Sequence, residues 1–140
     1  MIAKLLQKAS ENPKQLFLID ALGAMVTAFL TGVVLTYFEA FFGMPTSVLI
    51  PLALIACVFA VYSSICYFKL NFEHDSWQIY LKIIAVVNQL YCGVTFGFVM
   101  IYFEQLTTFG IVYFIGEILV VTTLVMVEIA VANSLENTDK

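Results

Sequence analysis

The 140-residue sequence contains no arginine, one histidine, three cysteines and three prolines, and its ten acids and six lysines make up only 11% of the chain. Each shortage excludes something. With 62% hydrophobic residues, against ~45–50% in ordinary soluble domains, too little polar surface remains to cover a water-soluble fold. Six lysines against ten acids leave no basic footprint for nucleic acid. The missing arginine removes the bidentate fork best suited to anions. The lone histidine, His74, stands between Glu73 and Asp75. It excludes a bis-histidine haem inside a bundle and has no i, i+4 partner for a helical metal site. Cys57, Cys66 and Cys92 are odd in number and form no C-x-x-C pair, which argues against thiol oxidase chemistry. Neither a Gly-rich phosphate loop nor a Ser-His-Asp set is present. The expectation is a protein that is not an enzyme and needs no cofactor.

What the sequence does have is long apolar runs. Leu16–Phe38, Val48–Phe68, Ile79–Phe103 and Phe109–Ala132 each exceed the ~20 helical residues that cross a hydrocarbon core, and helices satisfy their own backbone polar groups there. The connections between them are short, so neighbouring helices run antiparallel. The predicted fold is an all-α membrane protein: one domain, an up-down bundle of four transmembrane helices at about 16–38, 48–68, 79–103 and 109–132. Before it, Ile2, Leu5, Leu6 and Ala9 stand against Lys4 and Lys8 at helical spacing, the pattern of a short amphipathic helix in the headgroup layer. Asn12-Pro13 ends that helix, and the span-length run that follows fits a cleaved signal peptide poorly. Gly43-Met44-Pro45 makes the first turn, and Pro51 is expected in the opening turn of the second span.

Lys4, Lys8, Lys14, Lys69, Lys82 and Lys140 all fall at one end of such a bundle. By the positive-inside rule that end is cytoplasmic, with both termini inside. Tyr37, Phe38, Phe41, Phe42, Tyr102 and Phe103 at one boundary, and Tyr67, Phe68, Trp77 and Tyr80 at the other, read as interfacial belts.

Ionisable residues within spans are expensive and face protein or water. Counting ~1.5 Å per residue from each span's midpoint puts Asp20, Lys82 and Glu128 ~10–14 Å toward the lysine-bearing end, with Ser63 and Ser64 beside them and Tyr62 and Asn88 slightly deeper. Glu117 stands ~5 Å from the midplane on the opposite side. Glu117 and Glu128 share a helical face with Gly110, Tyr113, Val121 and Leu124, which is expected to look inward. Asp20, Thr27 and Thr31 line the first span, and Asn88, Tyr91, Cys92, Thr95 and Tyr102 the third. Ala53, Cys57, Ala60 and Ser64 form a small-residue seam on the second. Lys82 reads as snorkelling to the headgroups or pairing with Asp20 or Glu128. Asp20 and Glu128, nearer the span ends, are expected to serve structure. Glu117 divides between a structural hydrogen bond to Tyr91, Asn88 or Thr95 and a proton or substrate site. The candidate proton or ligand site is therefore Glu117, Glu128, Asp20, Asn88 and Tyr91. Gly93 and Gly97, at G-x-x-x-G spacing, fit either a neighbouring span or a homodimer interface.

The runs IDALGAMVTAFLTGVVLTYFEAFFGMP (Ile19–Pro45) and LALIACVFAVYSSICYF (Leu52–Phe68), continued by Asn88-Gln89-Leu90-Tyr91-Cys92 and by Tyr113–Glu128, resemble a group of small bacterial four-span membrane proteins with no assigned activity. The resemblance implies a multi-pass protein of the bacterial inner membrane. In layout the chain is also similar to the small multidrug-resistance exporters, dimers of four-span chains with a carboxylate in the first helix, a place Asp20 would take. It departs from them in having no tryptophan inside the expected spans and its most buried acid in the fourth. Two functional expectations follow. One is a non-enzymatic accessory protein binding lipid, a membrane-protein partner or a second copy of itself. The other is a proton-linked transporter of a small apolar or cationic compound.

Overall fold

The computed structural model describes residues 2–70 and 76–136. Their secondary structure is entirely helical: α1 (Ile2–Glu11), α2 (Pro13–Phe29) running on through a π-helical turn (Leu30–Leu35), α3 (Glu39–Phe42), α4 (Thr46–Lys69), α5 (Trp77–Ile101) and α6 (Thr108–Glu136). Four stretches are long and apolar enough to cross a membrane: Pro13–Leu35, Thr46–Lys69, Trp77–Ile101 and Thr108–Ser134. They form the four-helix antiparallel bundle that the apolar runs predict. The boundaries shift by one to three residues, because a helix runs until its backbone is turned aside rather than until hydropathy falls. His74 and Lys140 lie outside the described residues.

The bundle is two tight helix pairs set loosely together. α2 packs along α4 and α5 along α6, whereas α4 meets α5, and α2 meets α6, only sparsely. Small residues explain the first pair: a Cβ added to Gly32 would come within 2.9 Å of Ala53 Cβ. The buried seam of α4 is Ala53, Ala56, Ala60 and Ser63. This corrects the expected one, since Cys57 is exposed and Ser64 only half-buried. The helix is turned so that Ala53 meets Gly32 and Ser63 meets Asp20, a phase that uniformly apolar α4 does not encode by itself.

Among the described residues, a Cβ added at Gly93 or Gly97 meets nothing within 4 Å, so neither glycine is needed for a close approach to a neighbouring span. Gly93→Ala is therefore expected to leave the thermal unfolding midpoint unchanged or raised, as alanine favours a helix over glycine by ~0.5–1 kcal/mol. A fall in the midpoint would mean that this face packs against the protein itself.

At the end away from the lysines, the two interhelical turns are laced together. Gly43 adopts φ +84°, a left-handed helix cap that glycine enters without steric penalty. Thr107 Oγ1 donates to the Phe41 carbonyl at 2.6 Å and the Thr107 amide to the Phe42 carbonyl at 3.2 Å. The same hydroxyl accepts the Gly110 amide at 3.2 Å, satisfying a donor in the first turn of α6. Thr46 Oγ1 donates to Glu39 Oε2 across the first turn.

At the lysine-bearing end, α1 lies against α6 and α2, and Lys14 Nζ sits 4.7 Å from the Tyr67 ring centroid, a cation–π contact. Trp77 is 6% exposed and packs with Leu16, Phe17, Leu81 and Val131. It is a core residue in the first turn of α5, not a belt residue, because α5 begins two residues earlier than its apolar run. Pro51 also sits deeper than expected, in the second turn of α4. Its missing N–H deprives the Ser47 carbonyl of a donor close to the helix end, where polar surroundings can supply one.

Candidate functional site

The sparse meeting of α2 and α6 leaves a slot between them, a cavity of about 580 Å³. This falls within the ~300–1,000 Å³ typical of ligand pockets. Along α6 the lining runs from Val112 to Leu124, ~18 Å of helix, so the slot is long and narrow. α2 and α6 form its walls, and Ala56 and Phe59 of α4 with Asn88 and Tyr91 of α5 its floor. The mouth opens sideways: Leu22 and Val26 on one lip, and Val112 and Val120 on the other, are all more than half exposed. In a bilayer that mouth faces lipid tails, not water.

The end of the slot away from the lysines is closed. Thr31 Oγ1 and Tyr113 OH stand 3.5 Å apart across α2 and α6, and Tyr113 also meets the Phe42 ring edge-on at 6.1 Å. Thr31 is the second residue of the π-helical turn, and Thr36 Oγ1 donates back to its carbonyl at 3.0 Å. A π-turn widens the helix and often marks a functional position. Here it brings fully buried Thr31 against α6.

Halfway along, Glu117 reaches from α6 into the slot. Tyr91 OH donates to Glu117 Oε1 at 3.1 Å, and among the described residues no hydrogen-bond donor meets the buried Glu117 Oε2. Of the bonds expected from the sequence, the one to Tyr91 is the one that forms. The Tyr91 ring is held in turn by Phe59, edge-on at 6.0 Å.

Nearer the lysine-bearing end, three helices converge on Asp20. Asn88 Nδ2 donates to Asp20 Oδ1 at 2.6 Å, and Ser63 Oγ donates to Asp20 Oδ2. Of the layer inferred from residue counting, Asp20 and Ser63, with the slightly deeper Asn88, form a bonded triad of α2, α4 and α5. Asp20 and Asn88 line the slot as well. Glu128 is fully buried on α6, and among the described residues neither of its carboxyl oxygens has a hydrogen-bond partner. Lys82 is half-buried in the second turn of α5. Comparison of the chain with protein-family models, curated proteins and solved structures gives no match.

The five candidate residues all face the bundle interior, but they divide into two groups. Glu117 with Tyr91 sits half-way along the slot, and Asp20 with Asn88 lines it nearer the lysine-bearing end, whereas Glu128 is buried outside its lining. The burial order also differs from the expectation: Glu128 and Asp20 are buried, whereas Glu117 is half-buried. Depth along the bundle axis can be counted from the sequence, whereas enclosure depends on how far α2 and α6 stand apart. Ser63 and Thr31 belong with these residues. Ser63 was legible from its depth, while Thr31's bond to Tyr113 had no signal in the sequence. Among the described residues no three of His, Cys, Asp and Glu are placed to hold a metal ion.

Proposed function

We propose that this chain is a non-enzymatic integral membrane protein of a bacterial inner membrane that takes a lipid or another amphiphile into the slot between α2 and α6. The observation that carries this reading is the slot itself: apolar walls, a mouth toward the lipid, and half-way in the half-buried Glu117, whose buried Oε2 has no hydrogen-bond partner among the described residues. Such a site suits a molecule with a hydrocarbon body and a cationic or hydrogen-bond-donating group, which Glu117 Oε2 would accept. The one-sided lysines support cytoplasmic termini. The open Gly93/Gly97 face of α5 suits a second membrane helix, from another copy or a partner protein.

Binding of a long-chain alkylamine and of the matching alcohol to the full chain in lipid nanodiscs tests the proposal. Saturable binding of both is expected. Glu117→Gln should weaken the amine about 10- to 100-fold, the equivalent of one charge-assisted hydrogen bond, and leave the alcohol nearly unchanged. Equal loss for both would point to damaged packing, and no saturable binding of either would sink the reading.

A second reading rests on one observation, that carboxyl groups line the same slot at two levels, Asp20 and Glu117. A proton-linked carrier of an apolar or cationic compound needs such a ladder. Uptake of the alkylamine into proteoliposomes that depends on an imposed pH gradient distinguishes carriage from binding.

A further inference from the structure

Gln89 is a polar residue that the slot does not use. It is the middle residue of the 25-residue helix α5, it is exposed on the outside of the bundle, and among the described residues its side-chain amide has no hydrogen-bond partner. In a span of that length the middle residue sits at the bilayer midplane. There the amide, with two N–H donors and a carbonyl acceptor, meets only hydrocarbon, which satisfies neither. Polar side chains at that depth are expensive and face protein or water.

A second observation lies on the same face. Gly93 and Gly97 follow Gln89 at four and eight residues, one and two turns along the helix, and a Cβ added at either meets nothing within 4 Å. Glycines that no neighbouring span requires leave the backbone of α5 open to close approach from outside. Around them Val86, Phe96 and Met100 are each more than half exposed. From these placements we infer that two copies of the chain pair through α5, crossing between Gln89 and Gly97, with each Gln89 amide donating to the amide oxygen of the other. The occupant is a second copy because the unmet group is self-complementary: an amide carries donor and acceptor together, so two identical faces satisfy each other at the same depth. The one-sided lysines give every copy the same orientation. The pair is therefore parallel and two-fold symmetric, and a residue at the crossing point meets its own counterpart. Because α5 forms part of the slot's floor, its outer face points away from the mouth, and pairing leaves both mouths open to lipid. The pair rests on the reading of α5 as a membrane span and not on the slot's ligand.

Resonance energy transfer between donor- and acceptor-labelled full chains in liposomes tests the pairing, with the lipid-to-protein ratio raised stepwise. Transfer should exceed that of unpaired chains at the same density and fall on dilution, as reversible association requires. Gln89→Leu suits a lipid-facing position and favours the helix; it should dissociate at an about 10-fold lower lipid-to-protein ratio, the loss expected for interhelical hydrogen bonds in a membrane. Gly93→Leu, which holds the two backbones apart, should reduce transfer to the unpaired level, while Val58→Leu on the exposed face of α4 should change nothing. In excess micelles the copies separate, so the unfolding midpoint of Gly93→Ala there remains a property of the single chain. Transfer no higher than that of unpaired chains, pairing as tight as the unmodified chain's in Gln89→Leu or Gly93→Leu, or an equal loss in Val58→Leu would each overturn the inference. Alkylamine binding in nanodiscs that hold one chain each decides the slot separately, so either result can fail without the other.

Discussion

Gly43→Ala is expected to destabilise the protein by about 2–5 kcal/mol, with Gly110→Ala close behind. At Gly43 two costs add. The residue holds φ +84°, where a side chain costs roughly 1–2 kcal/mol. A Cβ there would also lie 2.2 Å from the Gln105 carbonyl oxygen, an overlap with backbone that no rotamer relieves, and overpacking of this kind costs about 1–3 kcal/mol. At Gly110 the backbone conformation is ordinary helix, but the added Cβ would lie 2.1 Å from the Phe42 carbonyl oxygen. Either substitution pushes the two turns apart and strains the bonds from Thr107 to Phe41 and Phe42. Unfolding in mixed detergent micelles, read by circular dichroism, measures the loss, with Gly93→Ala as the neutral control. Wild-type midpoints for both substitutions would mean that the turns do not meet as described.

Asp20→Ala is expected to be the most damaging single change inside the bundle, at about 3 kcal/mol. The two bonds themselves account for little, since interhelical hydrogen bonds in membranes average ~0.6 kcal/mol. Most of the loss comes from the partners left behind. Ser63 is fully buried and Asn88 nearly so, and each orphaned group costs roughly 1–3 kcal/mol. Removing Asn88 as well should therefore recover part of the loss. The Asp20→Ala/Asn88→Ala double variant is predicted to be clearly more stable than the sum of the two single losses allows, a coupling of about 1 kcal/mol or more. Asp20→Asn, which keeps an acceptor for Ser63, should cost only about half as much as Asp20→Ala. Strict additivity in the cycle would show that Asp20 and Asn88 act independently and that the triad does not tie α2 to α5.

The contrast between Asp20 and Glu128 shows how far the sequence could be read. Residue counting placed Asp20, Ser63 and Asn88 near one another, because rise per residue is fixed and a bundle aligns its helices. It also turned Glu117 and Glu128 inward, because their 11-residue spacing keeps them on one face. Enclosure was beyond it. Glu128, nearer the span end, looked like the residue with water in reach, yet α1 and the Trp77 cluster close that end. Glu117 looked enclosed, yet it faces the slot.

Hydropathy, span length and lysine placement by themselves determined that this is a bundle of four apolar helices, which faces of α2, α5 and α6 turn inward, and which acids lie within the spans. Those properties belong to single helices and their solvent. Only the tertiary structure decided that α2 pairs with α4 and α5 with α6, that a slot opens between the pairs, and that Cys57 and Trp77 exchange their expected places. The physical reason is that lipid-facing and protein-facing sides of these helices are equally apolar. Burial in a membrane leaves no hydrophobic contrast to read, and partner choice rests on small-residue fit and a few hydrogen bonds. The scarcity of charge in the sequence identified the solvent, and the folded arrangement set Asp20 and Glu117 on a slot and buried Glu128.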